Sequence, residues 1–298
     1  MNSQKGNSSR MSNYNAEVKS MAAVIRRYEI TDEEWEQIKP YIPEEQDAGS
    51  RGRPSRDSRT MLNGIFWILR SGAAWRDLPE RYGPWQTVYK RFVKWSEAGI
   101  FEKIFKDLAT DADMQDISID STCIKAHKAS AGAKKRNPDA AKAAPKVDGK
   151  RERFEKNQCI GITRGGRNTK IHAVVDALGN PIHIQLSSGD IHDSIIAEDV
   201  LDHIDLKPNK TTVLADKAYG SFDFREYIAG RNTDFCIPPK SNAVDPWYCD
   251  WFLYKERHLV ECFFNKLKEN RRIATRFDKL ASRFLAFVHL GCIRIQLA

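Results

Sequence analysis

No stretch of the 298-residue chain approaches the ~18 uninterrupted apolar residues that a membrane-spanning helix needs. The opening segment, MNSQKGNSSRMSNYNAEVKS, has no continuous apolar run, which argues against a secretory signal. The six cysteines stand singly and no CxxC occurs, so neither a zinc ribbon nor a dithiol redox motif is expected. Reduced, partly buried thiols in a cytoplasmic protein fit that usage. Internal repeats are absent. Aromatic residues are plentiful, and seven Trp, nine Tyr and 14 Phe exclude disorder of the whole chain. At roughly 100–200 residues per domain, the length suits about two domains.

The net charge is +8, and it is unevenly spread. Residues 51–94 carry +7, residues 125–167 carry +9 and residues 251–298 carry +6, which leaves −14 for the remainder. Three basic tracts in an otherwise acidic chain suggest a polyanionic partner.

The pattern divides the chain into a loose N-terminus (1–27), an all-helical unit (28–112) and an α/β unit (113–298) with a basic insertion at about 125–168. ITDEEWEQIKPYIPE reads as a helix, with Thr31 and Glu34 forming a capping box. Met61, Leu62, Ile65 and Leu69 recur at helical spacing, as do Val88, Phe92 and Trp95. Lys90, Arg91 and Lys94 lie away from that second stripe. A helix-turn-helix DNA reader and a plain helical bundle account for this pattern equally well.

After Asp116 come a strand (ISID), a hairpin turning at Leu178-Gly179-Asn180, and then helices alternating with short strands. Asp193 to Ile204, Ser221 to Gly230 and Tyr254 to Arg271 read as helices. A three-stranded antiparallel unit followed by alternating α and β implies a mixed α/β sheet flanked by helices.

Phosphoryl transfer on nucleic acid with divalent ions needs carboxylates that converge from different elements. Hard Mg²⁺ or Mn²⁺ prefers oxygen ligands, and two such ions activate the attacking oxygen and stabilise the leaving one. Asp120 is expected at the end of the first strand and Asp216 at the end of a central one, where mixed α/β folds place their sites. Glu261, on a helix, is the candidate third. Arg257, Glu261 and Lys268 share a helical face with Tyr254 at its edge. Arg164, Arg167 and Lys170 frame a Gly-rich basic hairpin entrance whose amides can meet phosphate. His127 lies seven residues after Asp120 and is a candidate to approach phosphate. His192 and Asp193 precede a helix and are candidates to assist the metal site or DNA, with an N-cap role for Asp193 the alternative.

The blocks GAAWRDLPERYGPW, DSTCIKAH, GITRGGRNTKIHAVVDALGNP, LADKAYG, IPPK and FFNKLKENRRIATRFDKL resemble bacterial insertion-sequence transposases of the DDE type. The likeness is to the large family whose prototype is insertion sequence "five", and it runs from Tyr28 to the C-terminus. Tyr254, Arg257, Glu261 and Lys268 fit that family's glutamate signature without gaps. Cys262, His258 and Gly220 depart from commoner residues, but no carboxylate is lost.

The resemblance implies an RNase H-like catalytic domain behind a helix-turn-helix-like helical domain. It also implies an Asp120–Asp216–Glu261 triad holding two Mg²⁺ or Mn²⁺ ions. Tyr254, Arg257, Lys268, Lys90, Arg91, Lys94, Arg164, Arg167 and Lys170 are then candidate DNA contacts. The partner is double-stranded DNA, both transposon ends and target, with a homodimer or larger assembly at synapsis and no membrane. The implied reaction frees a 3′-OH at the element's end and joins it to target DNA, in the bacterial cytoplasm at the nucleoid. A domesticated DNA-binding protein and a metal-dependent nuclease without strand transfer are the alternatives.

Overall fold

The computed structural model describes residues 27–43, 56–130 and 158–298. Residues 1–26 and most of the basic insertion lie outside them.

Helix α1 (Asp32–Ile38) starts as expected. The Thr31 hydroxyl accepts from the Glu34 amide at 3.2 Å, and the Glu34 carboxylate accepts from the Thr31 amide at 2.7 Å. Asp57 caps α2 (Ser58–Ser71) by accepting from the Thr60 amide at 2.7 Å. Gly72, at φ +67°, ends α2 in the left-handed region that glycine enters without penalty. Helices α3 (Trp85–Glu97) and α4 (Ile100–Leu108) are separated by Gly99, also left-handed at φ +69°. The anticipated apolar stripes of α2 and α3 are buried.

The strands are β1 (Asp116–Ala126), β2 (Gly161–Thr163), β3 (Gly166–Val175), β4 (Pro181–Ser188), β5 (Thr212–Leu214), β6 (Asp234–Cys236) and β7 (Thr275–Arg276). They form one mixed sheet. Its main path runs β2-β3-β1-β5-β6, with β4 on β3 and β7 on β1. β1, β3 and β4 pair antiparallel, while β5 and β6 join β1 in parallel. This is the mixed α/β sheet that the order of elements implied.

Side chains alternate across a strand, and β1 uses both of its faces. Ile117 and Ile119 join Ile196, Val200, Phe224 and Ile228 of α5 (Asp193–Leu201) and α6 (Phe222–Ala229) on one side. Ile124, Ile171, Ala173 and Val175 point to the other side. There they meet α7 (His258–Lys268), α9 (Ala281–Gln296) and the helices of residues 32–108. The helical layer therefore completes its core with elements from the far end of the chain. Phe92 stacks on Phe287 at 4.5 Å. Arg294 donates to the Glu34 carboxylate at 2.9 Å, and Arg283 pairs with Glu97. Among the described residues, no helix is long and apolar enough to cross a membrane.

Several details differ from the sequence expectation. β1 runs on six residues beyond Asp120, because β3 offers it a partner as far as Asn168 opposite Lys125. Asp120 is thus mid-strand rather than terminal. The insertion is shorter than 125–168, since β1 reaches Ala126 and β2 and β3 begin at Gly161 and Gly166. The Tyr254–Arg271 helix is three pieces: a 3₁₀ turn (Leu253–Arg257), α7, and α8 (Arg271–Ala274), which opens after Asn270. His192, not Asp193, caps α5, its ring nitrogen accepting from the Ser194 amide.

Candidate active site

β1 and β5 run parallel with Ser118 opposite Leu214. Two residues further along each chain come Asp120 and Asp216, which brings the two carboxylates to neighbouring positions. Asp216 lies just past β5, and its carboxylate accepts from the Ala218 amide at 2.8 Å, fixing the turn. Asp120 shares a strand face with Ile124, the face covered by α7.

The third carboxylate arrives through a cation. Arg257, the last residue of the 3₁₀ turn, donates to Asp120 Oδ2 at 2.8 Å and also to Glu261, four residues on in α7. The Arg257 and Asp120 side chains are 16% and 20% exposed, whereas Glu261 is 55% exposed. Tyr254 packs its ring beside the guanidinium, 5.8 Å away.

Burial pushes the Asp120 carboxyl above its ordinary range, and the nearby Asp216 charge adds to the rise. The Ser121 amide and Arg257 pull the other way without cancelling it. Burial acts to lower the Arg257 pKa, but Asp120, Tyr254 and Glu261 more than offset it, and the guanidinium stays charged.

A second polar cluster occupies the opposite face of β1. Ser121 Oγ donates to Asp193 Oδ1 at 2.7 Å, and Lys170 Nζ donates to the same oxygen at 2.9 Å and to the Ile191 carbonyl at 2.7 Å. The bonds from Lys170 and Ser121 hold Asp193 below the usual carboxylate range despite its burial. Burial brings neighbouring His172 down to about 4, so it is neutral. Tyr219 lies in the same region. Burial first, and then the charges of Asp193, Asp120 and Asp216, push its hydroxyl well above its ordinary value.

The other anticipated residues scatter. Lys170 faces α5 and is engaged with Asp193, so its amine is turned away from solvent. Lys90 and Lys94 are exposed on α3. Arg91 is half-buried, donates to Ser58 Oγ at 3.2 Å and lies over the Trp95 ring. Arg164 is exposed on the β2–β3 turn and Arg167 at the start of β3, and Lys268 is half-buried at the end of α7. His127 is exposed and accepts from the Ala129 amide at 3.1 Å. Ser121 and Tyr219 were missed by the sequence reading. Alternation along ISIDST could have flagged Ser121 as facing away from Asp120, but nothing in spacing links either residue to Asp193.

Among the described residues, no group of three or more His, Cys, Asp or Glu side chains is gathered closely enough to hold a metal ion. The donor set still fits a hard divalent ion: Asp120, Asp216 and Glu261 supply only carboxylate oxygens. Two of the three already share one cation, the Arg257 guanidinium.

Two family descriptions match the chain. "Putative transposase of IS4/5 family" covers residues 30–105 and "Transposase DDE domain" covers residues 111–245. Asp120 and Asp216 fall inside the second range, and Glu261 lies beyond it. A "Putative transposase for insertion sequence element IS6501" from Brucella ovis is 42% identical over 132 residues, covering 43% of this chain and 98% of the relative. "Uncharacterized protein y4sN" of Sinorhizobium fredii is 37% identical over 108 residues, covering 36% and 83%. Among solved structures, a piggyBac transposase synaptic complex with hairpin DNA aligns with a TM-score of 0.37 and 9% identity, covering 71% of this chain and 47% of that one. That likeness is too distant to carry detail. The chain belongs to the insertion-sequence DDE transposases, and its class is that of a DNA transposase.

Proposed function

We propose that this transposase binds the terminal inverted repeats of its element, cleaves there, and joins the freed 3′-OH ends to target DNA. The fold around the carboxylates is read as RNase H-like and the helical layer as the end-binding part. The observation that carries the proposal is the Arg257 bridge between Asp120 and Glu261. Asp216, just past the parallel neighbour of β1, lies close enough for its charge to act on Asp120. Two divalent ions, Mg²⁺ or Mn²⁺, held by the three carboxylates would activate the attacking oxygen and stabilise the leaving one.

The protein's own groups do the rest. Arg257 offsets one of the two negative charges of Asp120 and Glu261 while no DNA is present. A phosphate entering the site competes as a bidentate partner for the guanidinium, and the two carboxylates would then be free to hold a divalent ion. Tyr254 keeps the guanidinium plane aligned. In cleavage, water oxygen bonds to phosphorus as the P–O3′ bond breaks, and the departing oxygen takes up a proton to become the 3′-OH. In joining, that hydroxyl attacks a target phosphodiester and a target 3′-oxygen leaves. One phosphodiester replaces another, so no high-energy cofactor enters.

Lys268, Lys90, Lys94, Arg164 and Arg167 contact backbone phosphates, with Arg91 stiffening the α3 surface. Lys170 acts through Asp193. Two ends must be held together, so the working assembly contains at least two copies.

The test combines the full chain, Mg²⁺, DNA carrying the element's ends and a supercoiled target. Joined products are expected. Cleavage without joining identifies a nuclease, and a mobility shift without cleavage identifies a DNA-binding protein; either result overturns the proposal.

A further inference from the structure

Large apolar side chains are seldom left fully in water without a reason when they cluster. Here the segment between β6 and the 3₁₀ turn leaves Tyr248 83%, Trp251 62% and Phe252 80% exposed. The backbone beneath them is fixed. Trp247 Nε1 donates to the Ile237 carbonyl at 2.7 Å, and the Cys236 thiol lies 3.2 Å from the Asp250 carbonyl oxygen. The Asp250 carboxylate accepts from the Phe252 and Leu253 amides at 2.9 and 3.1 Å, and the Asp250 carbonyl accepts from the Tyr254 amide at 2.8 Å. Asp250 thus spends its charge on the turn that holds Trp251 and Phe252 outward.

The exposed Trp251 ring is continuous with the site. Trp251 meets Tyr254 edge-on at 5.8 Å, Tyr254 lies beside Arg257, and Arg257 bonds Asp120 and Glu261. Lys255 sits 5.8 Å over the Phe252 ring. Aromatic faces interleaved with cations are what unpaired nucleotides stack on, because every base has a π-face and every phosphate a charge.

We infer that Trp251 and Phe252 form a stacking platform for an unpaired DNA base beside the phosphate at the Asp120–Asp216–Glu261 carboxylates. This rests on the reading of those carboxylates as the cutting site. The platform stabilises DNA whose strands are opened at that point, with Lys255 and Arg257 taking the flanking phosphates.

Binding without catalysis tests it. Full-length protein in EDTA is titrated into two labelled probes of arbitrary sequence: a blunt duplex, and the same duplex with a short single-stranded 3′ tail carrying 2-aminopurine. The wild type is expected to favour the tailed probe and to quench 2-aminopurine. Trp251→Ala and Phe252→Ala should each weaken tailed binding about tenfold, the scale of one lost base–aromatic stack, and leave blunt binding unchanged. Trp251→Phe should restore most of the preference, which separates stacking from misfolding.

Equal binding of both probes by the wild type, or variants that keep the preference, overturns the platform. So does a fall in oligomer mass on light scattering of Trp251→Ala, which would make the patch a contact between copies. Glu261→Gln keeps the platform intact, so full cleavage by that variant in Mg²⁺ counts against the triad alone.

Discussion

Replacing Asp120 by Asn is expected to stabilise the metal-free protein at neutral pH while removing its activity. Two effects compete. Arg257 favours the Asp120 carboxylate through a 2.8 Å charged hydrogen bond. Burial and the Asp216 charge disfavour it, and the net upward displacement of the carboxyl says that they win. Asn keeps an oxygen for Arg257 and sheds the charge, and Arg257 retains Glu261. The gain should be on the order of 1 kcal/mol, the common size of a single stabilising substitution. At ~2–4 °C per kcal/mol for proteins of comparable size, that raises Tm by several degrees.

The pH dependence has a fixed sign. A carboxyl whose folded pKa is raised contributes its stability below the unfolded pKa and loses it as pH rises through the folded pKa. The Asn variant and wild type should therefore match in acid and diverge as pH climbs through and above the ordinary carboxylate range. Thermal melts in EDTA from pH 3.5 to 8 read this directly; EDTA is needed because a bound cation would stabilise the wild type by mass action. An Asn variant less stable than wild type at pH 7 would mean that the Arg257 pair dominates, and the electrostatic description of the site would be wrong.

Three further outcomes follow from the structure. Glu261→Gln should abolish cleavage of end-bearing DNA yet change stability by less than about 1 kcal/mol, because Glu261 itself is exposed and Arg257 keeps Asp120 as a partner; denaturant melts and a cleavage assay on one preparation check both halves. Asp193→Ala leaves Lys170 and Ser121 without their shared acceptor and should cost about 1–3 kcal/mol in the same melts. Phe287→Ala removes the ring stacked on Phe92 and should cost about 3–5 kcal/mol, lowering one cooperative transition for the helical layer and sheet together; a melt that splits in two would show that the shared core does not couple them.

Much of this was legible in the sequence because it is local. The Thr31–Glu34 capping box and the β3–β4 hairpin depend on neighbours a few residues apart, and the carboxylates stand in short motifs. Pairing and packing were less accessible. Asp120 looked terminal because ISID reads as a complete strand, and only the β3 partner shows why β1 continues to Ala126. Lys170 read as a free cation, but antiparallel register places it on the α5 face, where Asp193 takes it. The Tyr254–Lys268 spacing was legible, yet the 3₁₀ turn that delivers Arg257 onto Asp120 has no periodicity distinct from that of a helix start. The exposed Trp251 and Phe252 carried no signal, since aromatic residues ordinarily indicate core.

The central claim is that Asp120, Asp216 and Glu261 act as one unit on DNA. Single-turnover cleavage of end-bearing DNA in Mg²⁺ tests it most directly, with Asp120→Asn, Asp216→Asn, Glu261→Gln and the Asp120→Asn/Glu261→Gln double variant compared side by side. Residues acting as a unit are grossly non-additive, so each single variant should lose all but about a thousandth of the rate and the double variant should be no worse. A single variant near the wild-type rate, or a double variant whose loss is the product of the two single losses, would contradict the claim.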